Sequence, residues 1–231
     1  MPMKVLIFGA TGMVGQGVLR ECLRDAAVEH VVTVGRAATG RDDPKLEEIV
    51  LADLFAVQTI ERRLGGFDAC FFCLGVSAVG MSEADYGRIT YDLTVTIAAL
   101  LARLNPGMAF VYVTGAGTDT SEQGRFMWAR IKGRTENALR TIRFRATFMF
   151  RPGFIQPLHG IVSKTGWYRA AYAITAPISG LLGWLAPGAV TTTENVGRAM
   201  IAVARNGYPK PVLGNADINR AATLDRGRPA P

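Results

Sequence analysis

Cysteine and histidine are scarce in this chain. Of its 231 residues, three are cysteine and two are histidine. An odd number of cysteines is typical of reduced thiols rather than of a disulfide framework, and His30 and His159 are too far apart to indicate a metal site. Cys70 and Cys73 have C-x-x-C spacing, but they lie inside an apolar run and not at a helix start. The sequence therefore predicts free, packed thiols and no bound metal.

A secretory leader pattern and a concentrated basic block are also missing. An apolar, β-branched run begins at Lys4 and leaves no room for a leader, which with the reduced thiols predicts a cytoplasmic protein. The net charge is +7, from 26 basic and 19 acidic residues, but the basic residues are mostly dispersed arginines. Dispersed positive charge suits a phosphorylated cofactor or an anionic substrate. We therefore expect a small-molecule substrate and no nucleic-acid partner.

Charge is absent from one long stretch, residues 170–193. The stretch is long enough to cross a bilayer, but proline and glycine interrupt it at five positions: 177, 180, 183, 187 and 188. We expect it to form part of a small, apolar, mostly helical cover over a substrate. Membrane contact through 170–193 is the less favoured alternative.

What the chain does have is a regular alternation of strand and helix patterns. The predicted strands are 4–8, 31–34, 48–51, 69–74, 109–113 and 146–150, with another near 212–213. The predicted helices are 13–25, 57–64, 83–104, 125–140 and 193–205. Short strands that are almost wholly apolar, most of them followed by a helix, indicate a doubly wound parallel sheet with helices on both faces.

We therefore predict an α/β, Rossmann-like fold with three parts. Residues 1–155 form the main domain, which contains six of the predicted strands. Residues 156–218 form a substrate-covering part integrated into the same domain. Residues 219–231, which include three arginines and one acid, form a flexible tail.

A glycine-rich turn, Gly9-Ala-Thr-Gly-Met-Val-Gly15, joins the first strand to the first helix. Glycines at this spacing let a dinucleotide pyrophosphate approach the backbone and reach the free N–H groups of the helix N-terminus. The residues predicted to bind the cofactor here are Gly9, Thr11, Gly12, Met13, Val14 and Gly15. The chain is therefore predicted to bind NAD(P).

The end of the second strand bears on which dinucleotide is bound. An acid at this position would bind the 2′-hydroxyl of NAD, but the chain has Gly35-Arg36 and no acid before Asp42. A guanidinium group pairs with a 2′-phosphate. The sequence therefore favours NADP(H) over NAD(H), with Arg36 as the phosphate ligand.

Later motifs strengthen this interpretation and point to a family. They are Asp53-Leu54, Cys73-Leu-Gly75, Tyr112-Val-Thr-Gly-Ala-Gly117, Trp128-Ala-Arg-Ile-Lys132 and Arg151-Pro-Gly-Phe-Ile155. With the glycine turn, they resemble the extended and atypical branches of the short-chain dehydrogenase/reductase superfamily. Within that superfamily, they look like the atypical group that contains the Tat-interacting protein and epimerase/dehydratase-like proteins. The resemblance covers about residues 3–155 and implies an NAD(P)-dependent oxidoreductase or epimerase, with a homodimer through helices 83–104 and 125–140.

The resemblance also implies roles for the residues in these motifs. Asp53 and Leu54 would contact the adenine ring, and Cys73, Leu74 and Gly75 would pass beside the cofactor ribose. Lys132 would bind the nicotinamide ribose. The residues that would lie against the nicotinamide are Pro152, Gly153, Phe154 and Ile155.

The catalytic pattern departs from that of the superfamily, which is Tyr-x-x-x-Lys on one helix face. Lys132 is kept, but Trp128 stands at the tyrosine position, and an indole N–H does not titrate usefully. Thr114 is the candidate for the hydroxyl that holds the substrate oxygen, unless Gly115 is its true counterpart. A displaced proton donor is a further possibility, with Tyr86, Tyr91 and His159 as candidates.

Two functions remain open at this point. The first is an NADP(H)-dependent oxidoreductase or epimerase-like enzyme that acts on a small, apolar carbonyl or hydroxyl compound, with Lys132 and Thr114 as catalytic residues. The second is a non-catalytic NADP(H)-binding regulator or scaffold, which the replacement by Trp128 would explain.

Overall fold

The structure is a computed structural model that describes residues 2–161 and 188–224. The strands are β1 (Met3–Phe8), β2 (Val28–Gly35), β3 (Leu46–Val50), β4 (Ala69–Phe72), β5 (Ala109–Val113), β6 (Ala146–Phe150), β7 (Phe154–Gln156), β8 (Val190–Thr192) and β9 (Val212–Leu213). The helices are α1 (Met13–Arg24), α2 (Glu83–Gly87), α3 (Leu93–Leu104), α4 (Met127–Thr141), α5 (Thr193–Asn206) and α6 (Asn215–Ala221). A 3₁₀ helix covers Leu54–Arg63, and a π-helical turn, Arg88–Asp92, joins α2 to α3.

Seven of the strands form one parallel sheet in the order β3-β2-β1-β4-β5-β6-β9. Strand order reverses between β1 and β4, so the chain winds outward from the centre in both directions. The prediction of a Rossmann-like, doubly wound sheet is therefore confirmed. A separate pair, β7 and β8, is also parallel.

The sheet has an apolar core on each face, because successive side chains of a strand point to opposite sides. From β1, Val5 and Ile7 belong to the core that contains residues of α1, α5 and α6. Leu6 and Phe8 belong to the other core, together with residues of the 3₁₀ helix and α3. This is why most residues of the central strands are apolar and do not alternate with polar ones.

Some elements differ from the sequence prediction. The helix expected at 57–64 is 3₁₀ and begins at Leu54, where Asp53 caps it by accepting a hydrogen bond from the backbone N–H of Phe55. The helix expected as one unit at 83–104 contains the π-helical turn. β7, β8 and α6 were not predicted, because elements of three to seven residues are too short to produce a periodic pattern.

The carboxyl-terminal part also bears on two predictions. Helix α6 includes the first residues of the tail expected at 219–231, and Ala221 and Ala222 are buried, so the ordered chain extends beyond residue 218. Most of the charge-free stretch 170–193 lies outside the described residues. Among the helices that the structure describes, none is long and apolar enough to cross a membrane.

Candidate functional site

Three cavities follow the carboxyl edge of the sheet. The β2 cavity, about 320 Å³, lies between the ends of β1 and β2 and includes Gly9 and Arg36. The Asp53 cavity, about 310 Å³, lies beside it, and Arg36 lines both. The Lys132 cavity, about 510 Å³, lies on the opposite side of the glycine turn and includes Met13 and Val14. This edge, where strand order reverses, is where open α/β sheets bind ligands.

The glycine turn is shaped by close backbone contacts. Gly9 has φ of 82°, in the left-handed region, and a Cβ there would lie 2.7 Å from the backbone N of Leu74. A Cβ on Gly15 would lie 2.1 Å from the carbonyl oxygen of Gly9. Gly12 is the N-cap of α1 and offers no side-chain acceptor, so the first N–H groups of the helix stay available. The turn therefore fits an anionic group such as a pyrophosphate.

The Asp53 cavity brings together five of the residues predicted from the sequence. They are Arg36, Asp53, Leu54, Leu74 and Gly75. Cys73, directly before Leu74, does not line any of the three cavities. Burial raises the pKa of its thiol to about 12. Cys73 is therefore a packed thiol at neutral pH, and its neighbours form the cavity wall.

The Lys132 cavity has mostly apolar walls, and Lys132 is the only charged residue among the described residues that line it. Trp128 and Lys132 lie one turn apart on α4 and both face this cavity. The ammonium group of Lys132 donates a hydrogen bond to the carbonyl oxygen of Thr114 at 2.5 Å. Burial lowers the pKa of Lys132 from 10.5 to about 8, and the nearby carboxylate of Glu136 opposes this shift.

Thr114 does not present a free hydroxyl to the cavity. Its Oγ1 donates to Oε1 of the buried Glu136 at 2.7 Å, and Glu136 also accepts from Arg151 at 3.0 Å and 2.5 Å. A Cβ on Gly115, by contrast, would lie 3.9 Å from Nζ of Lys132. The position that faces Lys132 is therefore 115, where the chain has no side chain, and the geometry does not support the substrate-binding role expected for Thr114.

The segment after β6 lies against the same cavity. Pro152, Gly153 and Ile155 line it, whereas Phe154 belongs to β7 and is not among the lining residues. The backbone N–H of Gly153 donates to the side chain of Asn215 at 3.0 Å, so α6 holds this segment in position. Three of the four residues expected beside a nicotinamide therefore line the same cavity as Lys132.

The three candidate proton donors are separated by the fold. Tyr86, from α2, is buried and lines the Lys132 cavity. Tyr91 instead stacks under the guanidinium group of Arg134 at 4.2 Å. His159 contacts the carboxylate of Glu194 at 2.7 Å. Of the three, only Tyr86 is among the described residues that line the cavity containing Lys132.

The sequence analysis did not identify Glu48, Glu136 or the structural role of Arg151. Glu136 lies one helical turn after Lys132, and this spacing is a signal that predicts a shared helix face. Glu48 could have been found only from its pairing with Thr33 across β2 and β3, and that pairing is known only once the register of the two strands is known.

Comparison with known proteins identifies the same nucleotide-binding region. The model of a family described as NAD(P)H-binding matches residues 9–153. The chain is 28% identical over 161 residues to "Protein fmp52, mitochondrial" of Emericella nidulans, a match that covers 65% of this chain and 66% of that protein, slightly less than two thirds. It is also 26% identical over 234 residues to the protein of the same name from Aspergillus fumigatus, covering 93% of this chain and 96% of that one.

Solved structures share the fold at low sequence identity. A structure of Gre2 from Candida albicans in complex with NADPH has a TM-score of 0.70 at 13% identity, covering 92% of this chain and 78% of that one. A short chain dehydrogenase family protein from Francisella tularensis has a TM-score of 0.66 at 12% identity, covering 94% and 99%. These similarities support the extended short-chain dehydrogenase-like fold that the motifs indicated.

The names of the curated relatives contradict the expected cytoplasmic location. The Emericella nidulans and Aspergillus fumigatus proteins are both named as mitochondrial. Cysteine usage separates oxidising compartments from reducing ones, and it does not separate one reducing compartment from another. The prediction of a cytoplasmic protein is therefore wrong by this comparison.

Proposed function

The chain belongs to the NAD(P)H-binding family, whose model matches residues 9–153, and on this premise we propose that it is an NADP(H)-dependent oxidoreductase. Its substrate is a small, apolar carbonyl or hydroxyl compound. The observation that carries this proposal is the Lys132 cavity. It adjoins the glycine turn, contains the lysine of the Tyr-x-x-x-Lys pattern, and has mostly apolar walls around a volume that fits a small substrate.

The three cavities accommodate one extended dinucleotide. The N–H groups after Gly12 bind the pyrophosphate, and the Asp53 cavity takes the adenine ring. Arg36 lines both adenosine-side cavities, so its guanidinium group is available to a 2′-phosphate. Lys132 binds the nicotinamide ribose. When bound, the nicotinamide gives or accepts a hydride.

The proton for the substrate oxygen comes from Tyr86 in this proposal. The indole of Trp128 does not titrate, and the Thr114 hydroxyl already donates to Glu136. Tyr86 is the phenol among the described residues that line the Lys132 cavity. In reduction, Tyr86 would give its phenolic proton to the substrate oxygen and regain a proton from solvent, while the reduced nicotinamide, held through its ribose by Lys132, would supply the hydride.

The walls of the Lys132 cavity indicate a neutral substrate. Val76, Val79 and Ile155 contribute apolar surface, and Lys132 is the only cation among the described lining residues. A carboxylate or phosphate on the substrate would compete with the cofactor ribose for this one cation. We therefore expect uncharged aldehydes, ketones or alcohols to be accepted.

The first experiment is a titration of the protein with NADPH and with NADH, followed by energy transfer from tryptophan to the reduced nicotinamide. We expect NADPH to bind at least about tenfold more tightly, because the charge-assisted contact with Arg36 is absent for NADH. Consumption of NADPH is then followed with a panel of neutral aldehydes and ketones. Failure to bind either cofactor would overturn the proposal.

Matched tyrosine variants test the proton donor. We expect Tyr86→Phe to reduce kcat on any accepted carbonyl at least about a hundredfold while the Kd for NADPH stays within about twofold. Tyr91→Phe makes the same chemical change outside the cavity and should keep full activity. Equal loss in both variants, or no loss in Tyr86→Phe, would show that another group supplies the proton.

A non-catalytic NADP(H)-binding regulator is the second candidate function. It is favoured by the combination of Trp128, Gly115 and the bonded Thr114 hydroxyl, which leaves the usual acid and the usual substrate-binding hydroxyl both missing. If NADPH binds and no carbonyl is reduced, Trp128→Tyr, which restores the usual acid one helical turn before Lys132, should create turnover. That result would support the regulator.

A further inference from the structure

The loop between β2 and β3, residues 36–45, carries Arg36 and is held to the sheet by Glu48. The Oε2 atom of Glu48 accepts a hydrogen bond from the backbone N–H of Thr39 at 2.7 Å. The same oxygen accepts from the hydroxyl of Thr33 at 3.2 Å. One carboxylate oxygen therefore joins the middle of the loop to the strand that precedes it.

The geometry of the sheet explains why Glu48 reaches this point. Thr33 of β2 and Glu48 of β3 are partners in the parallel register, and Thr33 is buried. Gly40, with φ of 73°, turns the loop directly after Thr39. Among the described residues from 36 to 41, Thr39 is the one whose N–H donates to a side chain of the sheet.

Both donors to Glu48 belong to the wall of the β2 cavity. Thr33 and Thr39 line it together with Gly9, Thr11 and Arg36. Glu48 itself does not line the cavity and stays half-buried behind this wall. Its carboxylate thus fixes the backbone opposite the glycine turn, and with it the point from which Arg36 extends.

We infer that Glu48 is a positioning residue for dinucleotide selectivity: it anchors the β2–β3 loop so that Arg36 meets the 2′-phosphate of NADP(H). This inference rests on the proposed cofactor. It assigns to Glu48 an effect on NADPH that NADH, which has no 2′-phosphate, does not share. Arg36 is exposed, and among the described residues no hydrogen bond or ion pair holds its side chain. Because Glu48 already orders the backbone of the loop, NADP(H) binding has less conformational entropy to remove.

If the negative charge of Glu48 instead acted directly on the ligand, it would weaken NADPH binding rather than strengthen it. A carboxylate close to a 2′-phosphate would repel it, and removing the charge would then tighten NADPH binding. The two roles are separated by Glu48→Gln, which keeps an acceptor oxygen without the charge, and Glu48→Ala, which removes the acceptor as well.

The experiment measures Kd for NADPH and for NADH in the wild-type protein and in Glu48→Ala and Glu48→Gln. We expect Glu48→Ala to weaken NADPH binding about tenfold or more, because the hydrogen bonds to a charged acceptor are lost, while NADH binding changes less than about threefold. Glu48→Gln should retain most of the NADPH affinity. Hydrogen exchange at the Thr39 amide should be faster in Glu48→Ala, a readout that needs no ligand.

Glu47→Ala is the matched control. Glu47 lies next to Glu48 on the opposite face of β3 and contacts Arg63 at 2.6 Å at the surface. It should leave both Kd values unchanged. Tighter NADPH binding in both Glu48 variants, or equal loss of NADPH and NADH, would overturn the inference. Failure of the wild-type protein to bind NADPH would instead overturn the proposed function.

Discussion

At the scale of single residues, Lys132 is a cation in a nearly apolar cavity. Burial lowers its pKa to about 8, so the ammonium group is mostly charged at pH 7 and is half deprotonated about one pH unit above that. A bound dinucleotide brings negative phosphates and ribose hydroxyls, which favour the charged form. Binding is therefore coupled to the protonation of Lys132.

This coupling predicts that NADPH binds less tightly as the pH rises above 8. Below pH 7 the lysine is already protonated and the Kd should be constant. Between pH 8 and 9.5 binding must take up a proton, so the Kd should increase. Fluorescence titrations from pH 6.5 to 9.5 measure this, and Lys132→Met should bind more weakly with a flat profile. A sloping profile in Lys132→Met would assign the proton to another group.

Glu136 is the second residue whose environment predicts a large effect. It is fully buried and accepts hydrogen bonds from Thr114 and Arg151. Glu136→Ala leaves a partly buried guanidinium group and a hydroxyl without their acceptor, and should lower the free energy of unfolding by about 3–5 kcal/mol. Urea denaturation measures it. Glu47→Ala, at an exposed pair, should cost about 1 kcal/mol or less.

At the scale of elements, α1 and α5 pack closely through glycines. A Cβ on Gly17 of α1 would lie 2.7 Å from the Cβ of Thr193, and a Cβ on Gly197 of α5 would lie 2.8 Å from the Cγ of Glu21. The contact joins the first helix of the nucleotide-binding region to the carboxyl-terminal part, so the two regions share one core.

We predict that Gly17→Ala destabilises the protein by about 1–3 kcal/mol through overpacking, although alanine has the higher intrinsic helix propensity. The contact on Thr193 includes its backbone, so the helices must separate to relieve it. Gly107→Ala is the control, because a Cβ there meets no atom within 4 Å. Thermal or urea unfolding compares the two. A stabilised Gly17→Ala variant would mean that α5 shifts at no cost.

At the scale of the whole molecule, the proposed cofactor would contact the ends of at least three strands together with α1 and α4. A ligand that binds only the folded state stabilises it by about 2.7 kcal/mol at a concentration of 100 times its Kd. For a chain of this size, that raises Tm by roughly 5–10 °C. The predicted homodimer through α3 and α4 stays a prediction.

We therefore expect NADPH to raise Tm more than NADH at equal concentration, as measured by differential scanning fluorimetry. Arg36→Ala should reduce the shift with NADPH to that with NADH, because the extra stabilisation comes from the 2′-phosphate. Arg62→Ala, a basic residue on the 3₁₀ helix that lines none of the three cavities, is the control. Equal shifts with both cofactors in the wild-type protein would contradict the selectivity assigned to Arg36.

The sequence by itself determined the strand and helix alternation, the glycine turn and the helix that carries Lys132. These features depend on local rules: apolar runs of strand length, the positive φ that glycine permits at Gly9, and the spacing of four residues from Trp128 to Lys132. The doubly wound sheet follows from them, because short buried strands joined by helices have few other arrangements.

Only the tertiary structure decided which side chains meet at the site. Thr114 and Glu136 are 22 positions apart, and Thr39 and Glu48 are nine apart, so no local pattern reports their hydrogen bonds. The same applies to Tyr86, which lines the Lys132 cavity while Tyr91, one π-helical turn later, does not. Such contacts depend on strand register and helix rotation, which are set by packing across the whole sheet and not by the composition of any one segment.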